Sequence, residues 1–330
     1  MIYEFITIGG VTRDVSFFTD QGTLIENPQD ILRQQLLAFE YGAKIRVKAF
    51  HYDYGGGAAN TAVNFANFGF KVACLSAVGG DDNSKAIMKN FQERGVDSSL
   101  IKKIPEKNSG SSFIVISKTG ERIIFTERGA NNFLKISPSD EKVLKNTKNI
   151  YISSLSGDWM PILKKVFSLA RKQGIKISWN PSEAQYSAGF KKLSPFLRDT
   201  FIFSVNKDEA IELALSALRA KGKKIDHSFL NDEKNLLKII KDYGPQIVVI
   251  TAGSQGAYAY DGSKVYYQPV YKEKKRVDTT GVGDIFNSTF SAGLEIYKGD
   301  IQKALLLSAR NTASKIAHLG AQNGLLKIKL

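Results

Sequence analysis

The sequence predicts an α/β fold in which helices cover a mostly parallel β-sheet. Strand-like and helix-like segments alternate over most of the 330 residues, and this alternation is typical of βαβ units. Several strand-like segments are continuous apolar runs, as expected for strands that are buried on both faces. Many helix-like segments end at a glycine, the usual C-terminal stop signal of a helix.

The elements of this fold can be placed along the chain in order. The predicted strands are 5–10, 71–79, 149–154, 176–181, 200–206 and 247–253. The predicted helices are 58–69, 83–95, 159–174 and 233–244. The sequence contains no repeat, low-complexity tract or obvious interdomain linker. We therefore expect residues 1–330 to form a single domain with one large core.

Two further stretches have the alternating pattern of strands with one solvent-exposed face. Residues 44–54 alternate basic or polar with apolar side chains, and residues 110–128 suggest two strands around a Lys-Thr-Gly-Glu turn. Together with residues 11–20, they predict a small antiparallel sheet that projects from the α/β body. Such a sheet could be a lid over a pocket or only a surface hairpin, and the pattern alone favours neither.

The formal net charge of +14 raises the question of nucleic-acid binding. The basic residues are scattered in short groups, the longest of which is Lys274–Lys275–Arg276, with no basic tail and no interleaved aromatic platform. This distribution is more typical of a lysine-rich enzyme, so no nucleic-acid partner is expected. No segment approaches the ~20 consecutive apolar residues of a membrane span, so no membrane association is expected either.

The first residues and the cysteine count bear on the cellular compartment. Residues 1–10 include Glu4 and no basic leader, so they predict a buried strand rather than a signal peptide. Cys74 is the only cysteine, so no intrachain disulfide can form. Both observations favour a cytoplasmic location.

Residues 277–293 place two glycines and one carboxylate at the start of a predicted helix. Apolar residues recur at near-helical spacing after Asp284, so the helix is expected to begin around Gly283 or Asp284. A helix N-terminus offers unpaired N–H groups and a partial positive charge. Because glycines let the backbone approach an anion closely, the N–H groups of Gly281, Val282 and Gly283 are predicted to bind a phosphate.

The side chain of Asp284 has two candidate roles. An aspartate at a helix start often caps the first N–H groups, a contribution of about 1 kcal/mol. A carboxylate beside a phosphate site can instead take a proton from a hydroxyl group that attacks the phosphate. One residue could do both. The sequence lacks both the P-loop motif and the Gly-x-Gly-x-x-Gly motif, so neither of those nucleotide sites is predicted.

A second glycine cluster, residues 55–57, also precedes a predicted helix. Asn60 lies in the first turns of that helix. Its amide offers both a donor and an acceptor, which suits a sugar hydroxyl group. The alternative is a tight turn in which Asn60 caps the helix or forms a local hydrogen bond.

Several motifs, in order along the chain, resemble those of the PfkB or ribokinase family of carbohydrate and nucleoside kinases. The Asp-Thr-Thr-Gly-Val-Gly-Asp segment at 278–284 resembles the family's C-terminal signature, Asp-Thr-x-Gly-Ala-Gly-Asp. The glycine block at 55–69, followed by residues 72–82, resembles its N-terminal signature. Shorter matches are Gly-Ala-Asn at 129–131, Asn-x-x-Glu at 206–209 and Thr-x-Gly-x-x-Gly at 251–256.

The resemblance implies a ribokinase-like three-layer α/β/α sandwich with a small β lid. It also implies that the γ-phosphate of ATP is transferred to a hydroxymethyl group of a sugar. Asp284 would be the general base, and residues 281–283 would form the anion hole. The implied substrate-binding residues are Asp14, Gly56, Gly57, Asn60 and Arg128. Asp14 could equally be a turn or surface aspartate, and Arg128 a solvated charge at a strand end.

The same resemblance assigns the nucleotide and metal sites. The implied ATP-binding residues are Asn206, Thr251, Gly253, Gly256, Thr279 and Asn311. Asn206 and Glu209 would hold Mg²⁺ largely through water, although Asn-x-x-Glu after a strand also suits the start of a helix. Residues 318–324 resemble a loop that holds a monovalent cation together with the aspartate matched by Asp278, so K⁺ is a candidate cofactor. Gly324 replaces the serine of that loop.

Two departures from the family pattern bear on the substrate. Val282 replaces the usual alanine of the signature, which adds two methyl groups near the anion hole. The 55–60 loop lacks the lysine that is typical of ribokinases and looks closer to nucleoside kinases and general sugar kinases. A sugar kinase is the first expectation and a nucleoside kinase the alternative. A non-catalytic sensor of sugars or nucleotides is a third hypothesis.

The predicted small sheet bears on both the acceptor and the oligomeric state. Its aromatic residues could stack a nucleoside base or form the core of the sheet. These residues are Phe17, Phe18, Tyr52, Tyr54 and Phe125. Because an apolar face of such a sheet often pairs with a second copy, a homodimer through the lid is a candidate assembly, and the sequence does not fix the oligomeric state.

Overall fold

The structure is a computed structural model that describes residues 2–27, 35–117, 122–220, 222, 227–273 and 275–328. The strands are β1 (Tyr3–Ile8), β2 (Thr12–Phe18), β3 (Thr23–Glu26), β4 (Gln35–Ala38), β5 (Ala49–Gly55), β6 (Val72–Leu75), β7 (Ala77–Gly79), β8 (Lys102–Ile104), β9 (Gly110–Ile116), β10 (Arg122–Glu127), β11 (Thr147–Ile152), β12 (Lys176–Trp179), β13 (Ile202–Asn206), β14 (Ile247–Thr251), β15 (Ala257–Tyr260) and β16 (Val265–Gln268). The helices are α1 (Gly57–Asn67), α2 (Asp82–Glu93), α3 (Pro138–Leu144), α4 (Trp159–Gln173), α5 (Glu183–Tyr186), α6 (Phe190–Leu197), α7 (Lys207–Ala220), α8 (His227–Leu230), α9 (Glu233–Lys241), α10 (Val282–Ile296) and α11 (Ile301–Ile316). Short 3₁₀ helices span Gly129–Phe133 and Gly253–Gln255.

The largest sheet of the described residues has eight strands in the order β16-β15-β14-β13-β12-β11-β1-β6. All pairings from β6 to β14 are parallel, and β15 and β16 are added in antiparallel orientation. This arrangement confirms the predicted α/β fold with a mostly parallel central sheet. The predicted strand 71–79 is divided into β6 and β7, and only β6 belongs to this sheet.

Alternate residues of the central strands pack into different layers. On β11, Ile150 and Ile152 belong to the core cluster shared with α4, α6, α7 and α9. The residue between them, Tyr151, packs instead with the cluster that includes residues of α1, α10 and α11. Burial on both faces explains the continuous apolar runs of the sequence. In the described ranges, no helix is both long and apolar enough to cross a bilayer.

A small separate sheet has the order β10-β9-β2-β5. Its strands fall in the three segments predicted for it, although β5 begins at Ala49 rather than at residue 44. The expectation of a fully antiparallel sheet was wrong, because β2 and β9 are parallel. A parallel pair needs a long crossover, and α1 and α2 lie between these two strands. The predicted turn at 118–121 lies outside the described residues.

Candidate active site

Helix α10 begins at the glycine-rich signature. Its first residue is Val282, one position earlier than expected, and Gly281 lies at the N-cap. Gly281 has a φ of 71°, and a Cβ atom there would lie 2.6 Å from the Cβ of Ala321. Only glycine fits this left-handed, crowded position. The first-turn N–H groups of α10 receive no side-chain cap, and that of Val282 makes only a long hydrogen bond of 3.4 Å to the Thr279 carbonyl oxygen. A helix start of this kind can bind an anion.

Asp284 lies in this first turn, half-buried, and does not cap the helix. The capping interpretation was therefore wrong. Its Oδ2 atom instead accepts a hydrogen bond of 2.8 Å from Nδ2 of Asn60 on α1. Burial raises the pKa of Asp284, and the hydrogen bond from Asn60 acts in the opposite direction. A carboxylate with a raised pKa is a stronger proton acceptor once it is ionised.

The second glycine cluster brings α1 to Asp284. Gly56 has a φ of 87°, and any Cβ atom on it would overlap the carbonyl oxygen of Gly10. A Cβ atom on Gly57 would lie 3.3 Å from Oδ1 of Asp284. Asn60 is 3 % exposed, and its amide contacts protein groups at both ends. Its predicted contact with a sugar stays a prediction.

Asp14 lies on the face of the small sheet that it shares with Ser112 and Asp53. It is 6 % exposed, and its Oδ1 atom is buried with no hydrogen-bond partner in the protein. Burial raises the pKa of Asp14, and the nearby charge of Asp53 raises it further. No sequence pattern points to Asp53, because its proximity to Asp14 depends on the cross-strand register Asp14↔Asp53. The unpartnered carboxylate oxygen can accept a hydroxyl hydrogen bond.

A cavity of about 700 Å³ lies on the other side of the α10 N-terminus. Five of the predicted ATP-binding residues line it: Asn206, Thr251, Gly253, Gly256 and Thr279. Val282 and Gly283 also line it, so the cavity reaches the predicted anion hole. Thr312, which the sequence analysis missed, lines the cavity with a buried Oγ1 atom that has no hydrogen-bond partner in the protein.

Asn311 is not among the residues that line this cavity, and its predicted contact with ATP is not supported. The side chain is fully buried. Its Nδ2 atom donates to Oδ1 of Asn64 and Oγ1 of Thr289, both at 2.8 Å. Its Oδ1 atom accepts from the backbone N–H of Leu326 at 2.7 Å. Asn311 therefore joins α1, α10 and the last described segment, and the neighbouring Thr312 faces the cavity instead.

Asn206 and Glu209 form a reciprocal pair at the start of α7. Oδ1 of Asn206 accepts from the backbone N–H of Glu209 at 2.9 Å, and Oε2 of Glu209 accepts from the N–H of Asn206 at 2.8 Å. The helix-start interpretation of this motif is thus correct. Burial, followed by repulsion from neighbouring carboxylates, nevertheless raises the pKa of Glu209 to about 7. A desolvated carboxylate of this kind fits a hydrated Mg²⁺, which takes few protein ligands.

Asp278 lies against a buried lysine on α11. Its carboxylate accepts from the N–H and Oγ1 of Thr280 and from the N–H of Gly320. Nζ of Lys315 donates to the Asp278 carbonyl oxygen at 2.8 Å and lies 3.5 Å from Oδ2. Burial opposes ionisation of Asp278, but the Lys315 ammonium and these hydrogen bonds lower its pKa overall. The ammonium group of Lys315 therefore places a positive charge at the predicted cation site.

Arg128 is exposed and lies apart from these groups. It lines a separate polar depression of about 480 Å³ together with Lys107 and Glu127. The structure does not bring its side chain to Asp14 or Asn60. Its role in substrate binding stays a prediction.

The aromatic residues of the small sheet lie mostly on the face opposite Asp14. Strand register places Tyr52 and Phe113 beside Val15, and Phe125 beside Phe113. Side chains alternate between faces along a strand, so Phe17 and Tyr54 share this face with them. Among the five aromatic candidates, only Phe18 lies on the Asp14 face.

Comparisons with known proteins agree with this arrangement. Residues 29–328 match the pfkB family carbohydrate kinase profile. The chain is 26% identical over 292 residues to a ribokinase of Haemophilus influenzae, covering 86% of this chain and 88% of that protein. It is also 26% identical over 292 residues to a bifunctional ribokinase/ribose-5-phosphate isomerase A of Fructilactobacillus sanfranciscensis, covering 86% of this chain. It spans only 50% of that relative's length.

A solved structure shares the fold. The structure of Arabidopsis thaliana ribokinase complexed with ribose and ATP superposes with a TM-score of 0.79 and 18% identity, covering 99% of this chain and 96% of that one. This likeness confirms the ribokinase-like fold. The profile match over most of the sequence confirms the resemblance and the kinase interpretation: the chain belongs to the pfkB family of carbohydrate kinases, phosphotransferases with an alcohol group as acceptor.

Proposed function

We propose that this enzyme transfers the γ-phosphate of ATP to a hydroxymethyl group of a sugar, with Asp284 as the general base. One observation carries the proposal. Asp284 lies at an uncapped helix start where the 700 Å³ cavity meets the glycine loop 55–57. A carboxylate at this junction lies between a nucleotide on one side and a hydroxyl acceptor on the other.

In the proposed reaction, the acceptor oxygen attacks the γ-phosphorus, and its proton passes to Asp284 while ADP leaves. The N–H groups of residues 281–283 donate to the oxygens of the transferring phosphoryl group. Mg²⁺, when bound near Asn206 and Glu209, would neutralise charge on the phosphates. Closure of the small sheet over the acceptor would exclude water and limit ATP hydrolysis; its action as a lid is part of the proposal.

The acceptor side favours a sugar over a nucleoside. Asp14 and Asp53 lie side by side, and their carboxylates can accept hydrogen bonds from the hydroxyl groups of a sugar. Most aromatic candidates for base stacking lie on the opposite face of the small sheet. Gly56, Gly57 and Asn60 complete the proposed acceptor site.

We infer that Lys315 supplies the positive charge that a monovalent cation would bring to Asp278. The ammonium already contacts both the carbonyl and the carboxylate of Asp278, so the residues do not fit an additional K⁺ at that position. No step of the reaction requires K⁺.

We also propose that the outer face of the small sheet pairs with a second copy of the chain. Four large aromatic side chains form a patch on this face and are 46–59 % exposed: Phe50, Tyr52, Phe113 and Phe125. Apolar exposure of this kind is typical of an interface. Light scattering of the wild type should give a dimer mass, and Phe113→Glu should give a monomer. A monomeric wild type would refute the pairing.

A cytoplasmic location and the absence of a nucleic-acid partner stay predictions.

The central experiment is a coupled ADP-release assay with Mg²⁺ and ATP. The acceptors would be ribose, fructose, fructose phosphates, ketodeoxygluconate, adenosine, cytidine and inosine. We expect a strong signal with one sugar that is lost in Asp284→Asn. A nucleoside as the best acceptor would overturn the sugar assignment. A flat panel from folded, ATP-binding protein would favour a non-catalytic sensor.

A further inference from the structure

Three buried amide side chains form a hydrogen-bonded chain that ends on Asp284. Nδ2 of Asn90 on α2 donates to Oε1 of Gln322 at 2.8 Å. Nε2 of Gln322 donates to Oδ1 of Asn60 at 3.2 Å, and Nδ2 of Asn60 donates to Oδ2 of Asp284 at 2.8 Å. Each of the three amides is 3 % exposed. We call these three residues the amide chain.

The direction of the amide chain is fixed by its last member. An ionised carboxylate can only accept, so Asn60 must present its NH₂ group to Asp284. The oxygen of Asn60 then faces Gln322, which must donate, and the oxygen of Gln322 must accept from Asn90. The orientation of each amide thus depends on the next, although Asn90 and Asp284 belong to helices far apart in sequence.

We propose that Asn90 and Gln322 are positioning residues that act through Asn60 to hold the Asp284 carboxylate in place for proton transfer. This inference rests on the proposed role of Asp284. Neither residue is among those that line the nucleotide cavity. A donor at the end of a polarised chain favours the ionised form of the carboxyl group, which opposes the effect of burial on the pKa of Asp284.

Other contacts already hold the 319–324 loop, which contains Gln322. Nη2 of Arg94, the C-cap residue of α2, donates to Oδ1 of Asn323 at 2.8 Å. The N–H of Gly320 donates to Asp278 at 2.9 Å, and Ala321 packs against Gly281. Because these contacts place the loop, the buried amide of Gln322 is available to orient Asn60.

The test uses full-length protein labelled with ¹³C-carboxyl aspartate, without any acceptor. The Asp284 signal is identified by its loss in Asp284→Asn, and its titration midpoint is compared among variants. We expect Gln322→Leu to raise the midpoint by about one pH unit, the loss of roughly one hydrogen bond to a charged group. Asn90→Asp should raise it at least as far, because an acceptor at the head of the chain reverses the orientation of every amide.

Asn323→Asp is the matched control, since it adds the same negative charge as Asn90→Asp but lies beside Arg94, on the loop that contains Gln322 and outside the amide chain. Its midpoint should stay close to that of the wild type. An unchanged midpoint in Asn90→Asp, or an equal shift in Asn323→Asp, would overturn the proposal. If Gln322→Leu does not fold, the nearly isosteric Asn90→Asp still decides.

Activity gives a second readout once an acceptor is known. The acid limb of the kcat/KM profile should move by the same amount as the NMR midpoint, with KM for ATP unchanged. A flat acceptor panel with shifted midpoints would refute the proposed function but retain the amide chain. Normal turnover with unshifted midpoints would support the proposed function but refute the positioning role of the amide chain.

Discussion

Helices α7 and α10 begin with an acidic residue at the same position and use it in opposite ways. In α7, Glu209 exchanges hydrogen bonds with Asn206 and closes the helix start. In α10, the corresponding N-cap residue is Gly281, and Asp284 turns to Asn60 instead. The residue at the N-cap therefore determines whether side chains occupy the N–H groups at the helix start. We call the α7 start closed and the α10 start, which has no side-chain cap, open. Only the open start can offer its N–H groups to a phosphate.

The largest expected effect comes from removing the carboxylate at the open start. Asp284→Asn should lower kcat by about 10³-fold or more, because general-base catalysis is lost, while Mg²⁺·ATP binding measured by calorimetry is retained. Asp300→Asn is the control, since Asp300 caps α11 in the ordinary way. Turnover of the Asp284 variant near the wild-type rate would remove the base assignment.

The next test closes the open start. Gly281→Asn introduces a capping side chain and a clash with Ala321, so kcat should fall by about 10²-fold as the phosphate donors are blocked. Gly299→Asn controls for backbone strain, because Gly299 has a φ of 92° and open space around it. The reverse change, Asn206→Gly, should lower stability by about 1 kcal/mol or less in urea unfolding, and it should also weaken Mg²⁺·ATP binding because Asn206 lines the nucleotide cavity. Equal kcat losses in the Gly281 and Gly299 variants would contradict this view of α10.

A third prediction concerns the buried ammonium group of Lys315 beside Asp278. Lys315→Met leaves the buried Asp278 carboxylate without its ammonium and should destabilise the fold by about 3–5 kcal/mol. Added K⁺ or ammonium should restore part of the Tm and activity of this variant. The wild type should keep its activity when sodium replaces potassium. Lys303→Met is the control, because its ion pair with Asp300 on the same helix is exposed. A wild type that needs K⁺ would refute the inference.

The smallest effect is a pH dependence at the closed start. The pKa of Glu209 is raised from 4.5 to about 7, so the stability that its protonation contributes is present below 4.5 and is lost as the pH rises through 7. Mg²⁺ prefers the ionised form, so Mg²⁺·ATP affinity should increase across this interval. Glu209→Gln should flatten both dependences. Titrations with ATP in EDTA separate the metal from the nucleotide, and a slope that persists in Glu209→Gln would exclude Glu209 as its source.

Local patterns in the sequence were sufficient for the central sheet and for the glycine-rich helix starts. Burial on both faces is visible in runs such as 247–253, and motif spacing located Asp284. The parallel pairing of β2 with β9 was not predicted, because no local pattern records which distant strand is a neighbour. Asn311 was assigned from the motif, yet one step along a helix turns a side chain by about 100°, and Thr312 faces the cavity.

Contacts between distant residues account for what the sequence analysis missed at the site. No sequence pattern points to Lys315, because its burial depends on its contact with Asp278, 37 positions away. Residues 318–324 match a family loop in the sequence, but no pattern indicates that Gln322 contacts Asn60 or that Asn90 contacts Gln322, because these partners lie more than 200 positions apart. The cap role of Asp284 was a reasonable expectation that the absence of a side chain at Gly281 and the proximity of Asn60 overturn.

The position of the 319–324 loop has a consequence for biosynthesis. The loop touches Asp278, Gly281 and Asn60, yet ribosomes make it after every other part of the catalytic centre. A growing polypeptide can thus assemble its parallel sheet before Asn60 and Asp284 gain their contact with this loop. Translation products that stop short of this loop would lack the Gln322 contact, so under the proposed mechanism they would have little kinase activity.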